Sequence, residues 1–176
     1  MMMKRALVIL LFGVLFAGLA LDMVVLAADN APTQNDAKIK IDIPVVLKKA
    51  NVVFDIGRVS FSGDMPLALR YMSMLAKTFK EQSIEGQIIG VFYADASYLV
   101  LNDHAYNARR HVTTGNPYKG LIADLMAQGV QIEECAIAMK MQHISNEDLL
   151  KGVKVNSDTY LRMVQLMQEG FVRLHP

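Results

Sequence analysis

The chain contains a single cysteine, Cys135, so any thiol chemistry must pass through it. It follows Glu133 and Glu134, at a point where a strand is expected to give way to a helix. Unpaired backbone N–H groups and the helix dipole at such a junction stabilise a thiolate. A thiolate can attack sulfur or hold a persulfide. Glu133 and Glu134 oppose this, because adjacent negative charge disfavours another anion. Strand alternation puts Glu133 on the side of Cys135 and Glu134 on the other. A buried cysteine acting as a small apolar filler explains the same residue, and position alone leans that way. One cysteine excludes an intrachain disulfide, an internal resolving partner and a four-thiolate zinc site.

Other chemistry-bearing residues are more diffuse. Met72-x-Met74, Met139-x-Met141 and His143, with Cys135, are ligand types that suit Cu(I). Met72, however, falls on an inward helical stripe, where methionine usually fills core, so no metal is assigned. Asn102, Tyr106 and Arg110 recur at helical spacing and could line a pocket, or simply form a solvated helix face. Thr113-Thr114-Gly115-Asn116 before Pro117 could bind an anion at a helix start, although Asn116 as an ordinary cap needs no ligand. Nucleotide and serine-hydrolase signatures are missing. There is no Gly-x-Gly-x-x-Gly, Gly-x-Ser-x-Gly, His-Glu-x-x-His or Cys-x-x-Cys. Gly115 and Gly120 have P-loop spacing, but Leu121 and Ile122 stand where Lys and Ser/Thr are required.

The elements that would position these residues alternate between strand and helix. NVVFDI (51–56) reads as a buried strand. Asp64 is placed to cap a helix with Pro66 in its first turn and Met65, Leu69, Met72, Leu75 and Phe79 on its apolar face. GQIIGVFY (86–93) is a second strand, and Asp95 caps a helix carrying Tyr98, Leu101, Ala105 and Ala108. Asn116 and Pro117 open a helix that Gly129 ends. Residues 130–135 form a third strand, followed by a helix over 136–141. Ser145 and Asp148 have capping-box spacing. A short strand at 153–155, a helix from Asp158 to Glu169 closed by Gly170, and a last strand over 171–174 complete the chain. This alternation predicts a parallel sheet covered on both faces, with ligands collecting at the carboxyl ends of its strands. Those ends fall at Gly57 to Asp64, Ala94 to Tyr98, Cys135 to Ala138 and Asn156 to Asp158.

The amino-terminal segment has a different character. Met1 to Arg5 is a short cationic start, Ala6 to Leu21 is apolar apart from Gly13 and Gly18, and Val25-Leu26-Ala27 offers small residues for cleavage after Ala27. That is the plan of a secretory signal peptide over residues 1–27, which implies a periplasmic address. The alternative is an uncleaved membrane anchor. Residues 28–48 read as a polar linker and an arm or edge strand, with Ile39, Ile41, Ile43 and Val45 alternating with polar or Pro positions. Residues 49–176 make the folded domain. The chain is 53% apolar with a net charge of +1. The export segment carries much of that apolar excess, and the remainder is neutral and ordinary for one globular domain. Near-zero charge gives no reason to expect nucleic acid as a partner, and contact with membrane is expected only through the export signal.

Several stretches then carry a resemblance. NVVFDI, SGDMPLALRYMSMLAKTF, GQIIGVFYADASYLVLND, TGNPYKGLIADLMAQGVQIEECAIAMK, NEDLLKGVKVN and VQLMQEGFVRLHP, in this order, resemble the DsrE/DsrF-like superfamily, and most closely its exported bacterial branch. The likeness spans Lys49 to Pro176. Its most specific parts are Gly129-Val130 followed by Cys135, Asp148-Leu149-Leu150 with Gly152-Val153, and Gln168-Glu169-Gly170-Phe171. The resemblance implies a three-layer α/β/α sandwich with a mainly parallel five-stranded sheet, commonly assembled into homo-oligomers. It also implies a sulfur-relay role in which Cys135 carries a persulfide between donor and acceptor proteins, with no cofactor. The chain departs from relay members that use a penultimate cysteine, which it lacks. The alternative is a non-catalytic oligomeric protein that binds a small ligand at a strand-end pocket near Asp95, Tyr98, Asn102 and Asn116, with Cys135 structural.

Overall fold

A computed structural model describes residues 39–176, so the export segment lies outside the described residues. Strand β1 (Val52–Ile56) leads to a small hairpin of β2 (Phe61–Ser62) and β3 (Met65–Pro66), then helix α1 (Leu67–Glu81) and β4 (Ile88–Phe92). A 3-10 segment (Ala94–Val100) precedes α2 (Asp103–Arg110) and α3 (Lys119–Ala127). The chain continues through β5 (Gln131–Cys135), α4 (Ala136–Met141), β6 (Lys154–Asn156), α5 (Thr159–Gln168) and β7 (Val172–Leu174). Strands β6-β5-β4-β1-β7 make one five-stranded sheet, and all four neighbouring pairs are parallel. The α/β class and the parallel five-stranded sheet are as the sequence predicts.

Side-chain alternation divides the sheet into two unequal cores. Val52, Phe54, Ile56, Ile88, Phe92 and Ile132 face α1, the 3-10 segment and α3, burying Leu69, Met72, Phe79, Leu99 and Leu125 with them. Gly90 lies on this face because a Cβ there would come within 2.8 Å of the Met72 sulfur. Val53, Ile89 and Val91 face the other way, against Met163 and Leu166 of α5 and Phe171. With both faces covered, the central strand β4 is a continuous apolar run rather than an alternating one. The edge strands β6 and β7 have three residues each, which limits the unpaired backbone they offer to other chains.

Three sequence expectations are corrected. Asp64 does not cap α1: Gly63 (φ +60°) and Asp64 turn the β2–β3 hairpin, and Pro66 precedes the helix without a side-chain cap. Asp95 opens no long helix. The backbone runs as a 3-10 segment and breaks at Leu101, which pairs with Leu149, before Asn102 caps α2. Asn116 and Pro117 do not open α3, which begins at Lys119 after Tyr118; Asn116 instead accepts from the Tyr118 N–H in the preceding turn. Of the two readings for residues 39–45, arm or edge strand, the segment forms no strand and is exposed. Elsewhere the local signals operate. Ser145 and Asp148 form the capping box, and Asp158 caps α5 by accepting from the Tyr160 and Leu161 amides at 2.7 and 3.1 Å.

Candidate functional site

Cys135 is the last residue of β5 and the N-cap of α4, and it is 5% exposed. Its side faces a cavity of about 260 Å³ at the carboxyl ends of β4, β5 and β6. Tyr93 and Ala94 line it from the end of β4, Ile137, Ala138, Met141 and Gln142 from α4, and Asp158, Thr159 and Tyr160 from the start of α5. Three of the four strand-end windows read from the sequence contribute to this lining. Tyr93, Met141, Gln142, Thr159 and Tyr160 lie outside those windows. Their signal was adjacency: Tyr93 directly follows β4, and Thr159 directly follows the capping Asp158.

The walls are held by specific contacts. The Tyr93 ring lies over Gly57, where an added Cβ would come within 2.5 Å of it, and meets Tyr160 edge-on with centroids 6.3 Å apart. Burial, with the Asp55 carboxylate close by, pushes the Tyr93 phenol up to about 12, so it stays neutral. Asp55 is itself buried and bonded to Arg173, with Nε at 2.8 Å. Ala94 takes a left-handed φ of +49°, costly for a residue with a Cβ. Its carbonyl accepts from Gln142 Nε2 at 2.8 Å, which ties α4 to the end of β4.

The two carboxyl groups beside Cys135 are both kept from presenting free negative charge to it. Glu133 shares the α5 side of the sheet with Cys135. Its oxygens accept from Arg162 at 2.8 Å (Nη2) and 3.0 Å (Nε), from Gln131 at 2.6 Å and from Asn156 at 3.2 Å. Burial works to raise its pKa, but these bonds and the guanidinium charge outweigh it and hold the carboxyl below its ordinary range. Its charge is therefore present but matched. Glu134 faces the main core and is fully buried. Ser97 Oγ donates to its Oε1 at 2.7 Å, and Oε2 has no protein partner. Burial pushes it up to about 8, only partly offset by the Ser97 hydroxyl and the Cys135 backbone N–H, so it is protonated at neutral pH. The opposition expected from the two glutamates is thus removed in two different ways.

The residues proposed for a ligand pocket lie elsewhere. Asp95 is exposed in the 3-10 segment. Tyr98 is half-buried, with the Arg110 guanidinium 4.5 Å from its ring centroid and Tyr106 beside it. Asn102 caps α2 by accepting from Ala105 N–H at 2.9 Å and donates to the Glu147 carbonyl. Asn116 is buried, donating to the Leu99 and Leu101 carbonyls and accepting from Tyr118 N–H. These contacts gather Tyr98, Asn102 and Asn116 around α2 as structural struts, and none of the four lines the Cys135 cavity. Of the methionines, Met72 and Met139 are buried in the main core, whereas Met74 and Met141 are exposed. His143 is exposed too. Among the described residues no group of three or more His, Cys, Asp or Glu side chains could hold a metal ion.

A parallel five-stranded sheet between helices, with a cysteine at the end of its second-from-edge strand, defines a three-layer α/β protein with a thiol-lined strand-end cavity. The profile of the DsrE/DsrF-like family matches residues 51–174, and the chain belongs to that family. No curated protein sequence matches it. Among solved structures it is similar to a protein of unknown function, MTH1491, from Methanobacterium thermoautotrophicum. That match has 22% identity and a TM-score of 0.56, covering 72% of this chain and 99% of that one. It is also similar to the ychN protein from E. coli, with 17% identity and a TM-score of 0.50, covering 74% and 100% of the two chains. At these identities the likeness is one of fold.

Proposed function

We propose that this protein is an exported sulfur carrier of sulfurtransferase type, in which Cys135 accepts a sulfane sulfur as a persulfide and passes it to an acceptor thiol. The observation that carries this reading is the position of Cys135: the only thiol of the chain lines a strand-end cavity, beside two carboxyl groups whose charge is matched or absent. Family membership, linked in general to sulfur relay, supports it. Treatment with inorganic polysulfide or an organic hydrodisulfide should add the mass of one sulfur atom to the intact protein. The added sulfur should be released by cyanide as thiocyanate, and Cys135→Ala should gain none. If wild type gains no sulfur, or the alanine variant gains it equally, the carrier role is lost.

The low exposure of Cys135 favours a second reading, in which the cavity holds a small ligand without covalent chemistry. Retention of physiological function by Cys135→Ala would select it. The amino-terminal pattern supports export to the periplasm, checked by fractionation of cells expressing the full chain.

We also infer a homo-oligomer. Tyr160, Leu161, Val164 and Met167 are exposed along α5, spaced to form one apolar stripe that a second copy would cover. Leu161→Glu combined with Val164→Glu should lower the mass measured by light scattering to that of one chain without loss of helical signal. A wild-type protein already monomeric at tens of micromolar would contradict it.

A further inference from the structure

Resting on the homo-oligomer reading, we infer that residues 39–43 of one copy pair with the free edge of β7 in a second copy, in a register that sets Asp42 opposite Arg173. This arm is costly to leave in water. Six of the nine residues from Ile39 to Leu47 are aliphatic, and Ile39, Ile41 and Ile43 are 74–88% exposed. A contiguous apolar run of that kind marks a contact to be made with another surface. Extended, the arm puts its three isoleucines on one face and Lys40 and Asp42 on the other. In the single chain it bends at Asp42 and Ile43, so it straightens on pairing.

The edge of β7 carries the complementary pattern. Its register with β1 sets Val172 beside Val52 and Leu174 beside Phe54, on the main-core side of the sheet, and Arg173 beside Val53 on the α5 side. Val172 and Leu174 are exposed. Leu174 borders a trough of about 470 Å³ that Tyr71, Met74 and Leu75 of α1 line from the other side. The Val172 N–H is taken by the Asn51 carbonyl, so by alternation Arg173 turns its own N–H and carbonyl to the free edge. The Arg173 side chain holds the buried Asp55 through Nε and Nη2, and its Nη1 has no partner among the described residues.

An edge reading Val-Arg-Leu therefore meets an arm reading Ile-Asp-Ile. With the arm antiparallel, Asp42 exchanges both backbone bonds with Arg173 and offers its carboxylate to Nη1. Ile41 and Ile43 then cover Leu174 and Val172 on the apolar side. Pro44, which has no N–H, falls beyond the start of β7, where the ladder loses nothing. Three residues of edge are too few to hold two copies together alone, so the pairing adds to the contact along α5.

Disulfide trapping tests the register. In a Cys135→Ala background, chains carrying Ile41→Cys are mixed with chains carrying Leu174→Cys and oxidised, and the products are read by intact mass. In an antiparallel pair of this kind the two Cα atoms lie about 4.5 Å apart, within disulfide reach, so a covalent heterodimer should form. Lys40→Cys, on the other face of the arm, should trap about tenfold less. Separately, Ile41→Asp with Ile43→Asp should raise the dissociation constant of the oligomer about tenfold or more, and Asp42→Lys about threefold, without loss of helical signal. Equal trapping from positions 40 and 41, or a dissociation constant unmoved by the arm variants, overturns the pairing and leaves the α5 contact standing. A chain carrying both cysteines that closes its disulfide only within itself overturns the exchange between copies. A wild-type protein monomeric at tens of micromolar overturns the homo-oligomer, and this inference with it.

Discussion

Arg162→Ala should destabilise the fold by about 3 kcal/mol in urea unfolding at pH 7. The value is at the low end of the cost of stripping a buried ion pair of one partner, because the Arg162 side chain keeps 20% of its exposure while Glu133 keeps 3%. The loss comes less from the missing attraction than from a carboxylate left buried with only Gln131 and Asn156 as partners. Replacing both residues, Arg162→Met with Glu133→Gln, should therefore recover most of it. The single variant also changes the acid limb. In wild type Glu133 is held below its ordinary range, so it contributes stability above that range that is lost as pH falls through the lowered value. Without Arg162 that contribution disappears. The same variant should slow alkylation of Cys135 by iodoacetamide in the folded protein, because Glu133 would then present unmatched charge on the cysteine's side of the sheet. Equal alkylation rates would separate the ion pair from the thiol and leave it a purely structural feature.

How far the sequence reveals this arrangement depends on how local each determinant is. The Ser145–Asp148 box, the Asp158 cap and the left-handed glycines Gly129 and Gly170 act within a few residues, and each marks an element end that the structure contains. The placing of Cys135 at a strand-to-helix junction follows from the same short-range reasoning. The hairpin at 61–66 is less visible, because Asp64 and Pro66 suit a helix start as well as a turn. The break at Leu101 depends on its pairing with Leu149, far along the chain. Least legible are the partners of the buried carboxyl groups. Glu133 is matched by Arg162 from α5 and Asp55 by Arg173 from β7, and neither pairing follows from spacing. The cavity has the same origin: it combines the ends of β4 and β5 with the start of α5, and periodicity within one element says nothing of its depth.

The second large effect is a slope in stability with pH that belongs to Glu134. In the unfolded chain this carboxyl should titrate near its ordinary value of 4.5, whereas in the folded protein burial holds the proton until about pH 8. Between these values the folded state binds a proton that the unfolded state has released, so stability falls as pH rises, by about 1.4 kcal/mol per unit. Across the window the loss approaches about 5 kcal/mol as an order of magnitude, and above it the two states bind protons alike. Asp103, Glu133 and Asp148 are all held below their ordinary range, so their contributions act at lower pH and in the opposite direction. Glu134→Gln keeps an oxygen for the Ser97 hydroxyl and removes the titrating proton. Its stability should match wild type within about 1 kcal/mol near pH 4.5 and exceed it by about 3–5 kcal/mol at pH 8. Urea unfolding at several values between them reads the slope directly. A variant that keeps the wild-type slope would assign the linkage to another group and would leave Glu134 charged beside Cys135. A flattened slope would mean that burial keeps this carboxyl neutral up to about pH 8, so that below that pH it adds no negative charge beside Cys135.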